Sequence, residues 1–229
     1  MQTPYGEISD DDIYSLEYKL NWYLRYGNLP TATPRDTATA RLDYGYQYER
    51  YIGYLYESDG YKVEYNGLRK GLDDGGIDLI ARKHGQHLLI QCKRWEHAIG
   101  IDIISRLHGA TARYIWELRK CSRAHTRITA VLVLSSTADD AAKALAEHLG
   151  IVIRENVRYQ PYPAIKAKRL SPNIGYFLIP LYKGYDTMTL NPRRGDQYFA
   201  SVRDALANAF YFRPYHKDLI AAHCKEEIT

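Results

Sequence analysis

Apolar residues recur every three or four positions in two early stretches of the chain. Ile13, Leu16, Leu20, Tyr23 and Leu24 make the first stripe. Ser9 and the acidic run Asp10 to Asp12 precede it and Gly27 follows, which predicts a helix with both ends capped. A Thr/Ala/Pro stretch comes next, LPTATPRDTATA, in which Thr33-Pro34 is a candidate helix start. From about Tyr44 the helical spacing returns through Tyr48, Tyr51, Ile52, Leu55 and Tyr56, and Gly60 ends it.

The period then shortens. YKVEYNG alternates as a strand closed by Asn66-Gly67, and GGIDLIARKHGQHLLIQCK sets two aliphatic runs on either side of a polar KHGQ, the pattern of a β-hairpin. IDIISRLHGATARYIWELRK is helical in spacing. ITAVLVLSS is a continuous β-branched run, as expected of a strand buried on both faces. Thr137 and Asp140 suggest a capping box before AAKALAEHLG, Gly150 stops that helix, and IVIRE reads as a further strand. The predicted order is helix, three strands, helix, strand, helix, strand. A strand–helix–strand unit after a hairpin implies a right-handed crossover and an α/β fold with a mixed sheet covered by helices.

Beyond residue 157 the texture changes. PYPAIKAKRLSPN is Pro-rich and basic and reads as a linker or exposed arm. GYFLIPLY and DQYFAS read as short strands, and SVRDALANA as a helix capped by Ser201, giving a small ββα appendage. The expected organisation is an N-terminal helical extension over 1–42, a core over 43–157 and a basic, Tyr-rich appendage over 158–229.

Composition narrows the function. No run of eighteen apolar residues and no basic-then-apolar leader occurs, so a soluble, cytoplasmic protein with no membrane partner is expected. Three widely spaced cysteines, Cys92, Cys121 and Cys224, argue against a disulfide framework or a cysteine zinc site. The net charge is +4, and residues 158–229 hold 11 Lys/Arg against 6 Asp/Glu, so the basic surplus lies in the tail. With 22 tyrosines interleaved among basic residues, the chain suits a nucleic-acid partner, although tyrosine is also an ordinary half-buried residue. GxSxG, Walker A and GxGxxG motifs are absent, and the histidines assemble no rival site.

The hairpin carries the candidate chemistry. A turn at His84-Gly85, or over the four residues Lys83 to Gln86, pairs Arg82 with His87, Ile80 with Leu89 and Asp78 with Gln91, and the two-residue period puts Lys93 on the face of Gln91. The other face, Leu79, Ala81, Leu88, Ile90 and Cys92, is apolar. An Asp–Lys ion pair at a sheet edge would explain two of these polar residues. Gly75-Gly76 before Asp78, and the placement of Lys93 at the end of a central strand, point further. A carboxylate, a carbonyl donor and a lysine are what metal-assisted phosphodiester hydrolysis needs.

These pieces resemble the Mrr-type restriction endonucleases of the PD-(D/E)XK superfamily, in the D…QxK variant. YGYQYERYIGYLYESDGYKV, GGIDLIA, LLIQCKRW and VLVLSSTADDAAKALAEHLGIVI carry the resemblance over roughly residues 43–155. It implies a restriction-endonuclease-like αβββαβ core and a Mg²⁺-dependent endodeoxyribonuclease, with Mn²⁺ able to substitute. Position by position it implies Asp78 as metal-binding carboxylate, Lys93 as catalytic lysine, and Gln91 where many members have Glu. Glu49 on the preceding helix would be an extra acidic residue, and the Cys92 backbone carbonyl a further metal ligand. DNA is the implied partner, and a homodimer would cut both strands. No zinc is expected, because His216, His223 and Cys224 match no zinc spacing. Lys166, Lys168, Arg169, Arg193 and Arg194 are candidate phosphate contacts. Two other readings keep the same core: a Holliday-junction or repair nuclease, and a catalytically silent DNA-binding or assembly subunit.

Overall fold

The computed structural model describes residues 8–30, 36–70, 75–121 and 126–213. Thr33-Pro34, His216, His223 and Cys224 lie outside them. The chain divides into two compact units, one formed by residues 35–160 and the other by 1–34 together with 161–229.

The unit over 35–160 is built on a five-stranded sheet of order β1-β2-β3-β4-β5. Its strands are β1 (Lys62–Tyr65), β2 (Leu79–Lys83), β3 (Gln86–Lys93), β4 (Arg127–Leu134) and β5 (Val152–Arg154). β1, β2 and β3 run antiparallel, while β3–β4 and β4–β5 are parallel. The sheet is therefore mixed, with β3 at its centre, and the αβββαβ order expected from the hydrophobic pattern is present. The hairpin register is also as the pattern required: Arg82 opposes His87, Ile80 opposes Leu89, and Leu79 opposes Ile90. His84 and Gly85 take φ of 48° and 76°, the left-handed pair of a two-residue turn whose twist matches its strands.

Helix α2 (Thr37–Ser58) lies before β1 and begins seven residues ahead of the first apolar repeat, because Asp36 caps it by accepting the Thr39 N–H at 2.8 Å. Its Gly53 lets the helix lie directly on the Tyr65 ring, which a Cβ there would overlap. Asn66-Gly67 does not close a turn. Asn66 begins a short helix, α3 (Asn66–Lys70), and its side chain donates to the Ile77 carbonyl at 2.7 Å. Helix α4 (Ile101–Cys121) makes the crossover from β3 to β4, and α5 (Asp140–Leu149) joins β4 to β5. Ile103, Ile104 and Leu107 of α4 pack with Leu132 and Leu134 of β4 and with Ala142 and Ala146 of α5. Asp139, two residues after the predicted cap Thr137, is the actual cap of α5 and accepts the Ala142 N–H at 2.7 Å. It competes successfully because a carboxylate favours the positive end of the helix.

In the other unit, α1 (Asp10–Tyr26) is capped by Ser9 and ended by Gly27 at φ 76°, as its sequence predicts. Four strands follow: β6 (Ile165–Ser171), β7 (Ile174–Leu178), β8 (Gln197–Phe199) and β9 (Phe210–Phe212), in the order β8-β6-β7-β9. Helix α6 (Val202–Ala207) has Ser201 as its cap, and the Glu17 carboxylate of α1 accepts the Val202 N–H at 2.7 Å. The appendage is thus larger than the ββα expected, and the Pro-rich basic stretch is not a linker. Ile165 and Ala167 are buried on one face of β6, and the strand is internal to its sheet. Among the described residues, no helix is long and apolar enough to cross a membrane.

Candidate active site

Gly75 and Gly76, at φ 68° and 85°, turn the chain into β2 through a backbone region that other residues adopt only under strain. The chain then reaches Asp78 one residue before the strand. Its N–H donates to the Ile90 carbonyl at 2.9 Å, and its own carbonyl accepts the Gly67 N–H at 2.9 Å. Paired Cα positions stop at Leu79 and Ile90, so Asp78 sits where β2 leaves the ladder. Its carboxylate accepts the backbone N–H of Cys92 at 2.6 Å. Both Asp78 and Gln91 are only 5% exposed.

Four positions singled out by the sequence come together around this point. A Cβ at Gly67 would stand 2.8 Å from Glu49 Oε2 and 3.4 Å from the Asp78 Cα, so α2 brings the Glu49 carboxyl alongside Asp78. The buried Cys92 thiol is pushed well up, first by burial and then by the charges of Asp78 and Glu49, with Lys93 acting against them. These three charges therefore share one neighbourhood. Gln91 reaches the Gly75-Gly76 turn from the α4 face: its Nε2 is 3.6 Å from where a Gly76 Cβ would be, beside Ala110 of α4. Its Oε1 is buried and accepts no hydrogen bond. A buried amide oxygen without a donor costs free energy that a cation or water would recover.

A divalent metal ion is the group that oxygens of this kind could hold. Among the described residues, no three His, Cys, Asp or Glu side chains converge on one point. The available oxygens are instead two carboxylates, the orphaned Gln91 Oε1 and the Cys92 carbonyl. An all-oxygen set with few charges suits Mg²⁺, which keeps several of its waters.

Sequence reasoning missed four residues in this region. The Arg113 guanidinium on α4 lies against Gly75, where a side chain would overlap it. Arg94 turns inward from the end of β3. Its guanidinium sits 4.9 Å from the ring centres of both Tyr44 and Tyr159, and it donates to the buried Gln47 Oε1 at 2.8 Å. Gln47 is two residues from Glu49, so this contact ties α2 to the strand end bearing Lys93. Trp95 and His97 follow on the surface. The only signal for them was the run KRWEH after the lysine.

The basic candidates of the tail separate. Lys166 is 0% exposed, donates to the Met188 carbonyl at 3.2 Å and lies 5.2 Å from the Tyr185 ring centre, so it is not on a surface that phosphate can reach. Arg169 is held 3.7 Å over the Phe210 ring and donates to the Asn208 carbonyl at 3.0 Å. Lys168 is half-buried, and Arg193 and Arg194 are exposed.

No curated protein matches the chain. A solved crystal structure of a protein of unknown function, AF1548, is similar at 19% identity with a TM-score of 0.34, over 46% of this chain and 54% of that one. The chain thus spans about half of that protein. Residues 41–157, just over half of the 229, match the Mrr_cat family model, described as restriction endonuclease, over the stretch where the hairpin and its polar end stand; the chain belongs to that family.

Proposed function

We propose that this protein is a divalent-metal-dependent endonuclease that hydrolyses phosphodiester bonds in DNA, in a restriction or defence role of the Mrr type. The observation that carries this reading is the buried Gln91 Oε1, without a donor, on the same strand end as Lys93 and next to the anchored Asp78. Asp78, Gln91, the Cys92 carbonyl and Glu49 hold Mg²⁺, with Mn²⁺ as a substitute. When bound, the ion lowers the pKa of a water and offsets charge developing on the phosphate.

The chain's own residues do the rest. Asp78 is fixed through the Cys92 N–H, which sets the direction of its carboxylate. Lys93 orients the attacking water and offsets negative charge on the phosphoryl oxygens. Arg94, clamped between two tyrosine rings, keeps the end of β3 in register with α2 and so with Glu49. In this reading residues 43–157 are the nuclease module, flanked by 1–42 and 158–229. Exposed Arg193 and Arg194, with Lys168 and Arg169, add phosphate contacts. The protein works in the cytoplasm, and two copies together cut both strands.

Cleavage of supercoiled plasmid, methylated and unmethylated, with Mg²⁺, Mn²⁺ or EDTA tests the proposal. Metal-dependent nicking or linearisation, lost in Asp78→Ala and Lys93→Ala, supports it. Cleavage that survives both substitutions would point to a different site. Tight DNA binding with no cleavage by any form would make this fold a scaffold.

A further inference from the structure

The loop that leaves β3 is hydrogen-bonded along its backbone and aromatic on its surface. Ser135 Oγ donates to the Trp95 carbonyl and Ser136 Oγ to the His97 carbonyl, each at 2.8 Å. Beyond the loop, the Ile99 N–H donates to the Thr137 carbonyl and Ile99 accepts the Asp139 N–H, both at 3.0 Å. Arg94 clamps its other end. On this frame the rings of Trp95 and His97 stack, 5.1 Å apart and 27° from parallel. Trp95 is nonetheless 40% exposed and His97 is exposed too. Here the serine contacts hold the loop backbone while the stacked pair remains in solvent.

The position narrows what the pair meets. Trp95 is two residues from Lys93, so its Cα lies within about 7 Å of the lysine's Cα. Whatever brings a phosphodiester to Lys93 brings the attached nucleosides to the same few ångströms. Base faces stack on aromatic rings without regard to sequence. We infer that Trp95, backed by His97, is a stacking platform for an unstacked nucleobase next to the scissile phosphate. This rests on the nuclease reading above and adds to it a preference: DNA with a base free to leave the helical stack, at a gap, mismatch or single-stranded stretch, should be held better than continuous duplex. The neighbouring Glu96 is also exposed and repels the backbone, so the contact is through the base and not through phosphate.

The test uses the full-length protein in EDTA, where binding is read without cleavage. Fluorescence anisotropy of labelled gapped and continuous duplexes is compared for wild type, Trp95→Ala, Trp95→Phe and His97→Ala, with circular dichroism to check folding. Trp95→Ala should weaken binding of gapped DNA by roughly 5- to 150-fold, the range for losing one base–aromatic stack. Trp95→Phe should keep most of the affinity, and the continuous duplex should change far less. Wild-type tryptophan emission should also fall on adding gapped DNA by more than that of Trp95→Phe. Equal binding by all four proteins, with no Trp95-dependent change in emission, overturns the platform and leaves the nuclease intact. If no form binds DNA, both the platform and the nuclease reading fall.

Discussion

The Asp78 carboxylate accepts the backbone N–H of Cys92 at 2.6 Å, tying the acid of one strand to the strand that bears Gln91 and Lys93. Structure and chemistry can be separated at this contact. Asp78→Ala leaves a buried N–H without an acceptor and should cost about 1–3 kcal/mol in urea denaturation. Asp78→Asn keeps an acceptor oxygen and should remain within about 1 kcal/mol of wild type. Both should lose plasmid cleavage. An Asn variant that cuts at the wild-type rate would show that the carboxylate's charge is not used.

Gln91 offers an oxygen but no charge. Gln91→Glu should lower the Mg²⁺ concentration for half-maximal cleavage, by roughly tenfold if it gains about 1.4 kcal/mol of affinity. A titration of cleavage against Mg²⁺ reads this directly. An unchanged or raised midpoint would mean that Oε1 faces no ion.

Lys166 and the Arg193/Arg194 pair should behave oppositely despite their shared charge. Lys166→Ala removes a fully buried stem and should destabilise by about 2–4 kcal/mol in thermal or urea unfolding. Arg193→Ala with Arg194→Ala should leave stability nearly unchanged and flatten the salt dependence of DNA binding, each lost phosphate contact removing about one unit of slope.

Glu155 accepts the Ala138 N–H at 2.6 Å and pairs with Lys143 at 3.2 Å. The backbone contact first, and then Lys143, hold its carboxyl below the usual 4.5. A carboxyl lowered on folding adds stability above its unfolded value, and that stability disappears as pH falls through the folded one. The stability gap between wild type and Glu155→Gln should therefore be full above the usual 4.5 and close as pH falls through the lowered folded value. Denaturation at a series of pH values measures it, and a constant gap would assign the effect to something other than titration.

The hairpin was legible because its information is local. His84-Gly85 selects a two-residue turn, the turn fixes the register, and the register brings Asp78, Gln91 and Lys93 to one end. The caps Ser9 and Gly27 were legible for the same reason. What escaped depends on distant partners. β6 was hidden because its lysines dominate the composition, whereas Lys166 is satisfied by Met188 and Tyr185, twenty residues on. Asn66-Gly67 carries a turn dipeptide, but Ile77 takes the Asn66 side chain and starts a helix. Of the site, the residue types on the hairpin could be read. The approach of Glu49 over Gly67, and the Arg94 clamp on Gln47, belong to packing between elements far apart in sequence.

The Glu17 contact at the start of α6 has a consequence for how the protein is made. Its two halves are 185 residues apart, and the whole 35–160 unit is encoded between them. At about 5–20 residues per second, a ribosome needs roughly 10–40 s to travel from α1 to α6. During that interval α1 must wait with Leu16, Leu20 and Tyr23 uncovered by their eventual neighbours, while the 35–160 unit already has every residue it needs. The newborn chain is therefore more in need of chaperone protection at α1 than over the 35–160 unit.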